Sequence, residues 1–368
     1  MMRTGWGTTR RVRAAVSVSA AVCAVTAVLP GAASAEPARG ALGAGVERVS
    51  VASDGTQGDG ASVGGTITSD GRRIAFSSVA QNLTTGFPMT YEKVFVRDRR
   101  TSQTLQMSTS APPIERRPVI SGDGEYIAHW GLIQRDTKSF LSQLESQGTI
   151  GINCSGLSCS QPSLSEDGRY VAQVGTSGRP AVRQRIEVQD WHANTTQTVF
   201  EFDHILPSRP SISGDGRFVA FEDGQAQDVF VWDRTDDTSA GPIEGPSEAA
   251  TLVQLSRDGS RIVYLSGSDT YVQDESSGSE QLVPDARGLA IDPTGRYLLY
   301  APRDTSGPSL VLRDLVTGTD EIVSEQPASA GTDAVSTGGR DVVFHSTADD
   351  LVPGDTNGTS DVFVRRFY

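Results

Sequence analysis

The chain has 368 residues, of which 37% are hydrophobic and 21% charged, with 39 glycines and 18 prolines. That composition excludes an integral membrane protein and a low-complexity disordered chain. With 45 acidic against 32 basic residues the formal charge is −13, so no surplus of cation is available for a phosphate backbone or an anionic membrane surface. Length alone allows two average domains or one large closed β-architecture.

Residues 1–35 read as an export signal. Arg3, Arg10, Arg11 and Arg13 precede an apolar stretch, Ala14 to Leu29, too short and too weakly hydrophobic for a membrane span, and Ala33-Ser34-Ala35 offers small residues for cleavage before Glu36. Arg10-Arg11 lacks the apolar follow-on of a twin-arginine element, which stays the lesser alternative to ordinary export. Cys23 has no small residue directly before it, which argues against a lipid anchor. Removing the segment takes four arginines and no acid, moving the formal charge from −13 to −17. The expected product is secreted or held in the cell envelope, with no stable membrane span, a short linker over 36–45 and one domain over 46–368.

After residue 60 a unit recurs in which Ser, a polar pair and Gly precede a short alternating strand. Ser121-Gly122-Asp123-Gly124-Glu125-Tyr126-Ile127-Ala128 and Ser213-Gly214-Asp215-Gly216-Arg217-Phe218-Val219-Ala220 are two of seven copies, the first beginning at Ser69. The turn glycines 71, 124, 168, 216, 259, 295 and 339 are spaced by about 45 residues on average, a propeller-blade period. Asp-Gly forms a hairpin turn, so Asp70, Asp123, Asp167, Asp215 and Asp258 read as turn formers rather than catalysts. A further strand, as in Val229-Phe230-Val231-Trp232-Asp233, ends in Asp in most units. The second unit lacks that Asp, which leaves six or eight blades as alternatives to seven. The chain ends on a third strand, Asp361 to Phe367, while Val46 to Val51 has the character of a fourth. The expected fold is therefore all-β: a seven-bladed β-propeller of four-stranded antiparallel blades, closed by the amino-terminal strand joining the carboxyl-terminal blade, which removes two exposed edges.

Ser346 to Val364, with its Asp349-Asp350-Leu351-Val352-Pro353-Gly354-Asp355-Thr356-Asn357-Gly358 core, and Val49 to Gly58 resemble the WD40-like, TolB-type propeller repeats of exported bacterial proteins, and the similarity covers residues 46–368. The resemblance implies the fold. It does not imply an activity, because such propellers include partner-binding modules.

Cys154 and Cys159 enclose four residues, and in an oxidising compartment a local disulfide is expected, with free thiols as the alternative. Asp355, Asn357 and Asp361 place oxygen-bearing side chains around a Gly bend suited to a structural Ca²⁺, or else to an Asx-stabilised turn; no other cofactor is expected. The corresponding loop of the first unit, Asn82 to Lys93, puts Phe87, Met89 and Lys93 in place of those side chains. The four histidines fall in different units: His129 fills an aromatic slot, His345 follows Phe344 at a strand end, and His204 beside Asp203 is the most polar candidate for acid–base chemistry. Trp232 sits at a strand end and Trp130 follows a core strand, whereas Trp191, in the longer turn from Asp190 to Thr196, is the candidate ligand anchor. No nucleophile elbow, zinc-protease motif or phosphate loop is present. The expected function is a monomeric, non-enzymatic propeller that binds a protein, peptide or envelope component; the alternatives are a lyase or hydrolase acting at the propeller axis and a carbohydrate-binding module.

Overall fold

The computed structural model describes residues 45–85, 91–107, 117–133, 136–156, 158–178, 183–204 and 209–367. The export segment, Phe87 and Met89 lie outside them. Seven four-stranded antiparallel sheets follow one another along the chain. Blade 1 is built from Ser62–Ile67, Arg73–Ser78, Lys93–Asp98 and Gln103–Gln106, strands a to d in turn. Blade 3 is Ser158–Leu164, Tyr170–Ser177, Arg183–Asp190 and Thr195–Phe202. In blade 7, Ala328–Ser329, Asp341–Ser346 and Asp361–Arg366 are joined by Val46–Arg48, which pairs Val46 with Arg365 and Arg48 with Phe363. The expected ring closure is thus present, and the blade count is seven.

Antiparallel connectivity puts the a–b and c–d turns at one end of the ring and the b–c and d–a connections at the other; these ends are called here the turn face and the loop face. At the turn face each motif makes one device. The Ser121 hydroxyl donates to Asp123 and accepts from the Tyr126 N–H, while the Gly124 N–H donates to the Ser121 carbonyl. Blades 3, 4 and 5 repeat this around Ser165, Ser213 and Ser256. It is a type I turn followed by a left-handed glycine. Gly216 shows why the glycine is needed twice over: its φ is +71°, and a Cβ there would sit 2.3 Å from the Tyr170 ring of the preceding blade. In blade 1 the hydroxyl comes from Thr68, which bonds Asp70 and the Arg73 N–H, so the repeat register begins one residue earlier than Ser69.

The Arg after the glycine reaches the Asp that ends strand c of its own blade. Arg169–Asp190, Arg217–Asp233 and Arg296–Asp314 all lie at 2.6 Å. Those Asp groups also accept the N–H groups of the c–d turn, as Asp314 does from Val316. The arginine beside each of Asp190, Asp233 and Asp314 holds its carboxyl below the usual range. Blade 2, which has Gln143 where blades 1, 3, 4, 5 and 6 have Asp, carries Glu125 in place of the Arg and gives it to Arg73 of blade 1 at 2.8 Å.

Adjacent blades are also stitched by backbone hydrogen bonds from turn to turn. The Ser69 N–H donates to Gly122, Asp123 to Glu166, Glu166 to Gly214, Gly214 to Arg257, Asp258 to Pro293 and Thr337 to Ser69. Pro293 has no N–H, so the step between blades 6 and 7 runs the other way: the Gly338 N–H donates to the Asp292 carboxylate at 3.0 Å. Asp292 therefore replaces Ser in that blade and also accepts from the Arg296 and Tyr297 N–H groups.

Between blades lies an aromatic layer. The fourth residue of strand b faces its cross-strand partner on strand c, giving stacked Phe76–Phe95, His129–Phe140, Phe221–Phe230, Tyr264–Tyr271 and Phe344–Phe363 pairs with centroids 5.2–5.8 Å apart. His129 is a packed imidazole, as expected from its slot, and burial holds its pKa down to about 4.

Candidate functional site

Two places depart from the repeat, and both lie away from the turn face. The first is the axis. Arg117 and Arg209 each stand four residues before the turn serine of their blades, followed by proline, in Arg117-Pro118-Val119-Ile120-Ser121 and Arg209-Pro210-Ser211-Ile212-Ser213. The Arg209 Nη2 donates to the Arg117 carbonyl at 3.4 Å, from blade 4 to blade 2. The Arg117 guanidinium reaches blade 7, lying over Gly331, where a Cβ would meet it at 2.3 Å. Below them Arg257, 9% exposed, extends from blade 5 to the Ile120 carbonyl (3.2 Å), Asp333 (3.4 Å) and Glu166 (3.5 Å). Gly122 and Gly214 leave the room that Glu166 occupies, since a Cβ at either would press on its side chain. The turn-face end of the channel is thus plugged by Arg257 and its acids, and the loop-face end carries Arg117 and Arg209. His345, directly opposite Ser329 on blade 7, is near enough to Arg117 to feel its charge; burial first, and Arg117 second, hold its imidazole below the usual value.

The second departure is blade 3. In place of an aromatic pair it sets Gln173 against Glu187, both fully buried. The Gln173 amide donates to the Asn153 carbonyl at 2.8 Å, and Glu187 accepts both the N–H and the hydroxyl of Ser155. Burial pushes the Glu187 carboxyl up. Ser155 lies inside the Cys154–Cys159 loop, whose expected disulfide is formed, with Cα atoms 5.9 Å apart. Strand d of blade 3 is also eight residues long and leads to a cavity of about 490 Å³ at the groove with blade 4. There His204 Nε2 lies 2.9 Å from Asp223 Oδ1 and Nδ1 lies 3.3 Å from Asp203. The sequence neighbour Asp203 is therefore the longer contact, and the closer one comes from the next blade.

The remaining candidates fall elsewhere. Asp355, Asn357 and Asp361 do come together, and they do so around Arg48 and Gln57: Arg48 lies 3.2 Å from Asp355 and 3.5 Å from Asp361, and Gln57 donates to both. Asn357 also makes the Asx turn to the Thr359 N–H. Among the described residues no group of three or more His, Cys, Asp or Glu side chains is arranged to hold a metal ion. Trp191 is half-buried at the turn face, where its indole N–H donates to the Gly168 carbonyl and its ring packs edge-on to Tyr126 of blade 2. Its place is a blade–blade contact. Trp232 is 3% exposed, with its N–H on Asp237. Sequence reading missed Arg117, Arg209, Arg257 and the Gln173–Glu187 pair. Aligning the units on their turn serines reveals them: arginine stands in blades 2 and 4 where the others carry Gly, Gln, Leu or Thr, Arg257 where no other blade has a basic residue, and Gln173 where most blades carry an aromatic ring.

Residues 142–286 match the family model described as the lipoprotein LpqB β-propeller domain. No curated protein matches the sequence. Among solved structures the chain is similar to an oligogalacturonate lyase in complex with manganese, at TM-score 0.65 and 14% identity over 88% of this chain and 93% of that one. It is similar too to the oligogalacturonate lyase of Vibrio parahaemolyticus, at TM-score 0.64 and 13% identity over 87% and 93%. A third similar structure, TolB of Acinetobacter baumannii, has TM-score 0.49 and 18% identity over 69% and 64%. At such identities the lyase likeness is one of fold. The chain is a seven-bladed β-propeller whose middle blades match an LpqB-type propeller domain.

Proposed function

We propose that this propeller binds a carboxylate-bearing saccharide at the loop-face end of its axis. The observation that carries the reading is the meeting of Arg117 and Arg209, from blades 2 and 4, at that end, with Arg257 of blade 5 below them held by Glu166 and Asp333, in a chain of formal charge −13. An acidic protein that brings guanidinium groups of separate blades together holds a local field opposite to its overall charge, which selects an anion. The two lyases similar in fold are named for oligogalacturonate, a saccharide with one carboxylate per sugar, which supplies the first probe. The match to a lipoprotein propeller domain supports a working place outside the cytoplasm. A protein or peptide partner has less behind it: the exposed large apolar side chains, such as Val79, Leu132, Phe200, Leu282 and Ile322, are spread over five blades and form no single described patch.

Calorimetric titration with galacturonate oligomers and, in parallel, neutral galactose oligomers tests the proposal. The acidic series should bind, weaken with salt, and lose about tenfold or more in Arg209→Ala, since a charge-assisted hydrogen bond contributes about 1.5–3 kcal/mol. Equal binding of the neutral series, or indifference to Arg209→Ala, refutes it. His345 favours a second reading at the same place, β-elimination. A neutral imidazole near a carboxylate-binding arginine is suited to take the proton α to the carboxylate; the electron pair forms the new double bond, and the glycosidic oxygen leaves, taking a proton from water. The conjugated product absorbs in the ultraviolet. Its formation by the wild type and absence in His345→Gln would support a lyase, and binding without any such product would leave a binding module.

A further inference from the structure

The cavity between blades 3 and 4 is built differently from any other blade groove among the described residues. The outer strands elsewhere run three to six residues, from Val46–Arg48 in blade 7 to Thr238–Ile243 in blade 4, whereas that of blade 3 has eight. The added length carries Phe200 and His204 to the loop face. Phe200 packs one side on Phe202 and Phe221, with centroids 4.8 and 6.0 Å away, and leaves 48% of its surface open. Around that ring the polar groups are already oriented. Asp203 and Asp223 flank the His204 ring, and Arg183 and Arg185 hold Glu201 at 2.7 and 2.6 Å. Gln225 completes the lining. An open aromatic face ringed by planar, fixed hydrogen-bonding groups suits a pyranose, whose C–H face stacks while its hydroxyls meet the polar rim.

This cavity is also tied to the axis by the chain itself. Arg209 follows His204 by five residues, a span of at most about 17 Å. Both stand at the loop face, on the same d–a connection. We infer that the cavity is an outer subsite for a saccharide chain whose acidic end sits at the axial arginines, so that ligand length as well as charge is read. The inference rests on the axial reading above and adds a second contact to it.

The test compares galacturonate monomer with hexamer by calorimetry on the full propeller, as wild type, Phe200→Ala, Gln225→Ala and Arg209→Ala. Wild type should bind the hexamer about tenfold or more tighter than the monomer. Phe200→Ala should lose most of that gain with monomer affinity unchanged, Gln225→Ala should lose part of it, and Arg209→Ala should weaken both ligands. Phe200 and Gln225 are exposed, and an unchanged melting temperature certifies folding. A length gain that survives Phe200→Ala and Gln225→Ala overturns the outer subsite while leaving the axial site standing. A wild type that binds neither ligand overturns the axial reading and this inference with it.

Discussion

The turn face and the loop face obey opposite rules. At the turn face Asp123, Asp167, Asp215 and Asp258 each accept from the turn serine of their own blade, and Arg169, Arg217 and Arg296, which follow the turn glycines, are consumed by the Asp at the end of strand c. At the loop-face end of the axis Arg117 and Arg209 share one repeat position in blades 2 and 4 and point across the ring, and the other five blades have no arginine there. A seven-fold repeat thus acts as its own control: what recurs in most blades is structural, and what departs in a few is the place to seek function. The same comparison holds within the aromatic layer, where blade 3 gives up a ring pair to clamp a disulfide-closed loop through Gln173 and Glu187.

The sharpest way to break this comparison is to cut the repeating part. Phe344→Ala removes a side chain 1% exposed and stacked on Phe363, and should cost about 3–5 kcal/mol in denaturant unfolding. The double change Gln173→Leu with Glu187→Leu should cost less, about 1–3 kcal/mol, since it leaves the Asn153 carbonyl and the Ser155 N–H without their partners, and hydrogen exchange at Ser155 accelerates for want of its acceptor. Equal costs at the two sites would erase the distinction between a packing layer and a clamp.

Asp292→Ala comes next. It strips a fully buried carboxylate from the Thr294, Arg296 and Tyr297 N–H groups of its own turn and from the Gly338 N–H of blade 7, and should cost about 2–4 kcal/mol; Asp258→Ala, at an exposed turn acid, should cost less.

The two regions should also respond to pH in opposite directions. Asp190, Asp233 and Asp314 have lowered folded-state values, so their stabilisation is present above the unfolded carboxylate value, about 4, and is lost as pH falls. Glu187 has a raised value, so its contribution is greatest below the unfolded value and is lost as pH rises through the folded one. Melting curves of wild type against Glu187→Gln should therefore diverge in favour of the variant as pH rises from about 4, and a gap that ran the other way would contradict the burial argument. The smallest effect belongs to Arg217→Ala, which should lower the melting temperature slightly and leave ligand binding untouched, because its partner Asp233 sits at the solvent-facing turn end.

The fold was legible because each signal is local. The 45-residue spacing, the Asp-Gly turn and the strand-ending Asp are read within a few residues of one another, and the closing strand follows from what the last unit lacks. The one-residue slip in blade 1 arose because Thr68 does the work of Ser there and a Ser stands next to it. The axial site was not legible because Arg117 and Arg209 are 92 residues apart and meet only when blades 2 and 4 face one another across the ring. His204 was found through its neighbour Asp203, yet its nearer carboxylate, Asp223, belongs to the next blade. The length of its turn marks Trp191 in the sequence, whereas its contacts with Tyr126 of blade 2 and the Gly168 carbonyl depend on how the blades pack.

The most direct test of the central claim is a hydrogen-exchange footprint of the propeller saturated with a galacturonate oligomer. Slowed exchange should appear at the axial segments 117–120, 209–212 and 328–331, with the turns at 121–126 and 213–218 unchanged. Protection confined to those turns, or no protection at any of these segments, would contradict the assignment of function to the loop face.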